Sequence, residues 1–376
     1  MLSCLAGAAQ ASAVDSEAAL AVPYWTRPIP AQGPAPALAA DNPVVADLSA
    51  NACRLCHPAQ FEHWSGSLHA AALSPGILGQ LGAFDQETQA DCLACHAPRQ
   101  EVIDLWQGQG LAGAGDLAGV DCATCHVRAH QRHGPRAIEQ TPHGPVEPLP
   151  LFRQAGFCAP CHQFDDTGLS VNGKPLENTY AEWQGSRYAR AGITCQGCHM
   201  PDKRHQFKGI HDPETTRRGL RVQAWRVGAG LRVRAGNVGA GHALPTYVTP
   251  RILIRLEGVD GQTRREHIIA RRMRWTLEDG WEELADDRLA PDQWIDLDLD
   301  LPPAEPGRVE VRVEPDDDYH RRIYPALPEL LGERLDPAQH ALLARARELA
   351  GRNAYTLYRF ACPPWRGLEE PCDAQP

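Results

Sequence analysis

Cys195-Gln196-Gly197-Cys198-His199 is the last of five pentapeptides in this chain that read Cys-x-x-Cys-His. The others are Cys53-Arg54-Leu55-Cys56-His57, Cys92-Leu93-Ala94-Cys95-His96, Cys122-Ala123-Thr124-Cys125-His126 and Cys158-Ala159-Pro160-Cys161-His162. Two thiols at this spacing add to the vinyl groups of a porphyrin, and the adjoining imidazole reaches the iron from the same side. The motif is the attachment signature of c-type haem. Disulfides and structural zinc also use paired cysteines, but neither places a histidine directly after every pair. Five covalently attached haems c are therefore expected. Cys53, Cys56, Cys92, Cys95, Cys122, Cys125, Cys158, Cys161, Cys195 and Cys198 would carry the thioethers, and His57, His96, His126, His162 and His199 would bind iron. Of the 13 cysteines, only Cys4, Cys362 and Cys372 remain.

Around the motifs, long apolar periodicity is scarce. Short helical pieces alternate with turns such as Leu111-Ala112-Gly113-Ala114-Gly115 and His143-Gly144-Pro145. About 30 residues per haem over this stretch suits a segment whose buried apolar mass is porphyrin. Phe61-Glu62-His63-Trp64-Ser65-Gly66-Ser67-Leu68-His69-Ala70 is echoed by Tyr180-Ala181-Glu182-Trp183-Gln184-Gly185-Ser186-Arg187-Tyr188-Ala189, with Tyr188 in the place of His69. Methionine cannot be the general second ligand, because the mature chain offers only Met200 and Met273. Histidine can: 11 of the 16 histidines lie outside the motifs. His69, His143, His205, His211 and His242 are the expected distal ligands, with His130 and His133 as rivals to His143. His63, His267, His320 and His340 are read as surface residues.

From residue 215 the pattern changes to alternation. Leu231-Arg232-Val233-Arg234, residues 251–257, 294–301 and 308–314 each put apolar side chains on one face and charges on the other, the period of half-buried strands. Val259-Asp260-Gly261-Gln262 has Asp-Gly at a hairpin turn. One helix is expected over residues 337–350, with Asp336 as N-cap, Pro337 at the first position and Gly351 just past its end. A disulfide between Cys362 and Cys372 is compatible with an oxidising compartment. The Gly-rich segment Asn237-Val238-Gly239-Ala240-Gly241-His242-Ala243-Leu244-Pro245-Thr246 suits a loop laid close to a bulky group. The fold class expected is α+β: a haem-packed domain of short helices and loops over residues 51–214, then an antiparallel β-sandwich-like domain with a C-terminal helix over 215–376.

Haem attachment of this kind belongs to the periplasm or another exported space. Residues 1–13, ending Ala11-Ser12-Ala13, read as the remainder of a signal peptide, and residues 14–50 as an extended Pro- and Ala-rich lead-in. A weaker reading lipidates Cys4 as an anchor. No segment has the continuous apolar length of a membrane span. The formal net charge of −10 argues against nucleic acid and suits docking of basic redox partners.

The chain resembles the large multihaem cytochrome c family of bacterial respiratory electron carriers, including members with a C-terminal β domain. Beyond the five motifs, the resemblance is carried by Trp64-Ser65-Gly66-Ser67-Leu68-His69, Glu177-Asn178-Thr179-Tyr180-Ala181-Glu182-Trp183, Cys195-Gln196-Gly197-Cys198-His199-Met200-Pro201, Gly209-Ile210-His211-Asp212-Pro213-Glu214 and the Gly241–Thr246 loop. It implies axial ligation by His69, and by His211 and His242. The resemblance does not settle activity, since carriers and reductases share these modules; the first reading is electron transfer between a quinol-linked donor and a periplasmic or outer-membrane acceptor, with no catalytic residues. The alternative is a multihaem oxidoreductase acting on a small nitrogen or sulfur compound, which needs one iron with an open position. The Cys-x-x-Cys-Lys site of similar nitrite reductases is absent from this sequence.

Overall fold

The computed structural model describes residues 23–35, 42–112, 119–164, 170–261, 263–276 and 280–375. The signal remnant, Cys4 and Gln262 of the hairpin turn lie outside the described residues, as do Gly113, Ala114 and Gly115. Two compact units emerge. The first comprises residues up to 162 together with 192–208 and 327–346; the second comprises 163–191, 209–326 and 347 onward. The sequence reading makes one cut near residue 214. In the structure the chain instead passes between the units several times, so that all five haem motifs fall in the first.

The first unit is built from short helices with small apolar clusters. Leu81, Leu93, Ala97, Val102, Ile103 and Trp106 form one cluster, and Trp25, Ile29 and Leu151 another. Part of the expected lead-in belongs to this framework. Ile29 is fully buried; its N–H donates to the Pro98 carbonyl (2.6 Å) and its carbonyl accepts from Gln100 N–H (2.9 Å). Three strand pieces, Val127–Arg128, Gln131–Gly134 and Val146–Pro148, form a small sheet after the third motif.

The second unit is a sandwich. Its strands are β1 (Leu220–Arg226), β2 (Gly230–Asn237), β3 (Arg251–Gly258), β4 (Arg264–Ile269), β5 (Arg271–Thr276), β6 (Gly280–Asp286), β7 (Trp294–Asp300), β8 (Gly307–Glu314), β9 (Tyr355–Cys362), β10 (Glu370–Pro371) and β11 (Asp373–Gln375). A four-stranded sheet runs β7-β2-β1-β10 and a five-stranded sheet β11-β9-β8-β3-β4, every pairing antiparallel, with β5 and β6 as a separate hairpin. The alternating apolar residues meet between the sheets: Val222, Ala224, Leu231, Val233 and Leu297 from one, Ile252, Ile254, Leu256, Val309 and Val311 from the other. Period-2 side-chain alternation turns one face of each strand inward, which is why the sequence pattern alone specifies this core.

The expected C-terminal helix is present over Pro337–Arg352. Asp336 accepts from Gln339 N–H (2.8 Å), and the Gln339 side chain accepts from Asp336 N–H (2.8 Å), a reciprocal cap. The helix continues through Gly351, whose missing Cβ leaves room for the His320 ring. Cys362 and Cys372 are disulfide-bonded.

Candidate haem-binding site

Each attachment motif sits on or at the end of a short helix, and local capping explains three of the starts. Ser49 accepts from Ala52 N–H (3.1 Å) ahead of the first motif, and Asp85 from Thr88 N–H (2.8 Å) ahead of the helix that ends in the second. Asp121 and Thr124 form a capping box at the third. Such caps satisfy N–H groups that have no partner within the helix. They fix the turn on which two thiols and an imidazole project together. None of the ten motif cysteines is in a disulfide.

Backbone carbonyls orient the motif histidines. His96 Nδ1 donates to Ala72 O (2.8 Å), His126 Nδ1 to His133 O (2.8 Å) and His199 Nδ1 to Lys208 O (2.7 Å). A carbonyl only accepts, so Nδ1 carries the proton and Nε2 keeps the lone pair that a metal takes. His143 reaches the same state another way. Thr141 gives its hydroxyl hydrogen to Gly144 O, so His143 Nδ1 donates to Thr141 Oγ1 (2.7 Å). Burial also keeps the rings neutral. Desolvation pushes His126 down to about 4, and His69 down to about 3 with further help from His162 and His199.

Three pairs of imidazoles face one another: His57 with His143 at 6.4 Å between ring centroids, His69 with His162 at 6.2 Å, and His126 with His205 at 6.2 Å. Two iron–nitrogen bonds of about 2 Å, plus about 1.1 Å from each nitrogen to its ring centre, put the centroids of a bis-imidazole iron about 6.2 Å apart. The three pairs match that span. Buried donors also stand ready for carboxylates: Trp25 Nε1 and Arg128 Nη2 have no hydrogen-bond partner among the described residues. Porphyrin propionates are the groups that would satisfy them. The residues present therefore fit haem c.

The remaining expected ligands are placed differently. His211 and His242 belong to the second unit. His211 Nε2 bonds the Asp316 carboxylate (3.0 Å). The loop bearing His242 is pinned by Asn237, which donates to the His242 and Leu289 carbonyls (2.8 and 3.0 Å), and by Glu182, which accepts from Ala243 N–H (2.9 Å). At Gly239 a Cβ would lie 2.0 Å from Arg218 O, so only glycine fits there. Tyr188 donates to Val238 O (2.7 Å) and so packs within this loop region. The rivals to His143 have other tasks: His130 is buried with Nε2 on Gly33 O (3.0 Å), and the His133 carbonyl holds His126. Sequence reading missed the aromatic residues among the motifs. Phe152 stacks on His126 (4.9 Å, 17°) and packs tilted against Phe157 (4.6 Å, 32°), and Phe207 lies 4.3 Å from His69 and 6.1 Å from His205. Isolated phenylalanines in turns carry no sequence signal for such a position.

Comparison with known proteins agrees with this chemistry. Residues 52–127 match the family described as cytochrome c554 and c-prime. The multihaem cytochrome MtrA of Shewanella baltica (strain OS185) is 28% identical over 124 residues, 32% of this chain and 33% of that protein. The chain thus spans about a third of the length of this curated relative. The solved penta-haem cytochrome c552 from Thermochromatium tepidum has the same fold, with a TM-score of 0.55 at 18% identity over 87% of this chain and 99% of that one. Together with the repeated attachment motifs, these likenesses support a multihaem c-type cytochrome. They also support covalently bound haem c as its cofactor.

Proposed function

We propose that the chain is an exported, periplasmic pentahaem cytochrome that passes electrons between respiratory redox proteins through bis-histidine haems and catalyses no reaction of its own. Three imidazole pairs, each joining a motif ring to a ring from outside the motifs at 6.2–6.4 Å between centroids, support this reading. Haem c supplies a one-electron couple when bound. The protein's part is to hold it by two thioethers, to orient the motif imidazole through a backbone carbonyl and to offer a second imidazole. His143 would complete the first motif's iron, His205 the third's and His69 the fourth's. His211 and His242 complete the proposed set; with Asp316 on Nε2, His211 would bind through Nδ1. The partners would be a quinol-linked donor and a periplasmic or outer-membrane acceptor. Among the described residues no helix is long and apolar enough to cross a membrane.

Low-temperature electron paramagnetic resonance on the oxidised, fully haem-loaded protein tests this reading. The expected result is low-spin signals only, unaltered by nitrite or hydroxylamine. A high-spin signal that shifts with either ligand would reveal an open iron and replace the carrier reading with an oxidoreductase of small nitrogen compounds.

A further inference from the structure

Residues 205–208 form a short turn in the first unit, and three of the four meet a different attachment site. The His205 ring faces His126 of the third motif at 6.2 Å. Two residues on, the Phe207 ring lies 4.3 Å from His69 at an angle of 56°, and His69 faces His162 of the fourth motif at 6.2 Å. Phe207 also meets His205 edge-on, at 6.1 Å and 86°. The Lys208 carbonyl then accepts from Nδ1 of His199 in the fifth motif (2.7 Å).

The backbone of this turn is held in a conformation its sequence disfavours. Phe207 has φ +47°, the left-handed region that crowds any residue with a Cβ. Such a conformation persists where the surroundings fix it. His69 is fixed from another side. Its carbonyl accepts from Val120 N–H (3.0 Å), and a Cβ on Gly119 would lie 2.8 Å from the same oxygen. These contacts set where His69 stands, and Phe207 limits how its ring can turn.

We infer that residues 205–208 are a clamp shared by three iron sites, with Phe207 as its positioning residue. The segment supplies the distal imidazole of the third site, sets the ring plane of the distal imidazole of the fourth and orients the motif imidazole of the fifth. An imidazole on iron can rotate about the iron–nitrogen bond, so a ring packed against it decides its plane. Phe207 packs against two such imidazoles, and their planes are therefore set together. The left-handed turn at Phe207 comes directly before the residue whose carbonyl holds His199, so the same backbone conformation serves the fifth site.

The clamp rests on the bis-histidine reading, and the full-length, haem-loaded protein separates the two. His69→Gly and His205→Gly should each remove one low-spin signal in paramagnetic resonance and so assign the fourth and third irons. Loss of neither would defeat the ligand reading, and the clamp with it. Phe207→Leu keeps apolar bulk without the ring. The expected result is unchanged haem content, a shift of the largest g-value at both assigned irons, and several-fold more carbon monoxide bound at the fourth after reduction. Phe207→Tyr keeps the ring and should retain the native values. Phe207→Gly also frees the backbone and should shift a third signal. Native g-values at either assigned iron in Phe207→Leu, or no third shifted signal in Phe207→Gly, would overturn the clamp while leaving the ligands in place. So would a structure of the unsubstituted holoprotein in which His69 and His205 bind iron and Phe207 touches neither, a result that does not depend on the variants loading haem.

Discussion

Two imidazoles that face each other across about 6 Å are separately replaceable, which makes the histidines the sharpest place to test the site. His69→Gly removes the ring opposite His162 without adding bulk. We expect one haem in five to become high-spin and able to bind an added ligand, with total haem content unchanged, as read by absorbance and paramagnetic resonance. Retention of every low-spin signal would dismiss His69 as a ligand. A second residue reports on stability. Burial, aided by Glu182, lifts the Glu177 carboxyl to about 7 against the pull of its Thr179 hydrogen bonds and Arg288. The unfolded chain ionises this group near its ordinary value of 4.5. The folded state therefore holds the extra proton between those values, and stability falls as pH rises from about 4.5 to 7. The loss amounts to about 2–3 kcal/mol. Glu177→Gln should flatten that decline in denaturant titrations, and an unchanged slope would exclude Glu177 as its source.

At the scale of elements, the disulfide sits at a change of sheet. β10 pairs with β1 in the four-stranded sheet and β11 with β9 in the five-stranded one. Cys372 lies between them, with its N–H on Ala224 O (2.9 Å) and its sulfur bonded to Cys362 at the end of β9. Replacing both cysteines by serine should cost about 2–3 kcal/mol. The denaturant midpoint should fall while the haem spectrum stays constant, and an unchanged midpoint would assign the bond no stabilising role. The strands this bond joins differ in how legible they are from sequence. β2, β3, β7 and β8 announce themselves by alternation. β1 alternates just as well in Leu220-Arg221-Val222-Gln223-Ala224, a signal that was there to be read. β5 and β6 break the rule, because Arg271 is buried. Its guanidinium bonds Glu283 (2.8 Å) and the carbonyls of Val171, Lys174 and Pro175, partners too distant in sequence to foresee. The site shows the same division. The attachment residues are local and legible, whereas His143 pairs with the first motif and not with the third, to which it lies closer in sequence.

Across the whole molecule, charge decides how partners are met. A formal net charge of −10 becomes more negative once haem propionates are added. Encounter with a basic redox protein should therefore be steered and sensitive to salt. The Debye length shrinks from about 30 Å at 0.01 M to about 8 Å at 0.15 M ionic strength. Over that range the second-order rate of electron exchange with a small basic cytochrome should drop at least several-fold in stopped-flow mixing. A flat salt profile would place the docking surface on a neutral patch. The N-terminal strap of residues 23–35 has a consequence of another kind. Tyr24 donates to Cys125 O (2.9 Å), Arg27 to Cys95 Sγ (3.3 Å), and Trp25 packs on Phe157 (5.1 Å). The part of the chain made before all the motifs is thus held by groups beside the second, third and fourth of them. During synthesis it has nothing to bind until those motifs have followed it. The strap therefore cannot close before the turn that precedes the fourth motif has been made, which leaves the second and third sites uncovered by it until then.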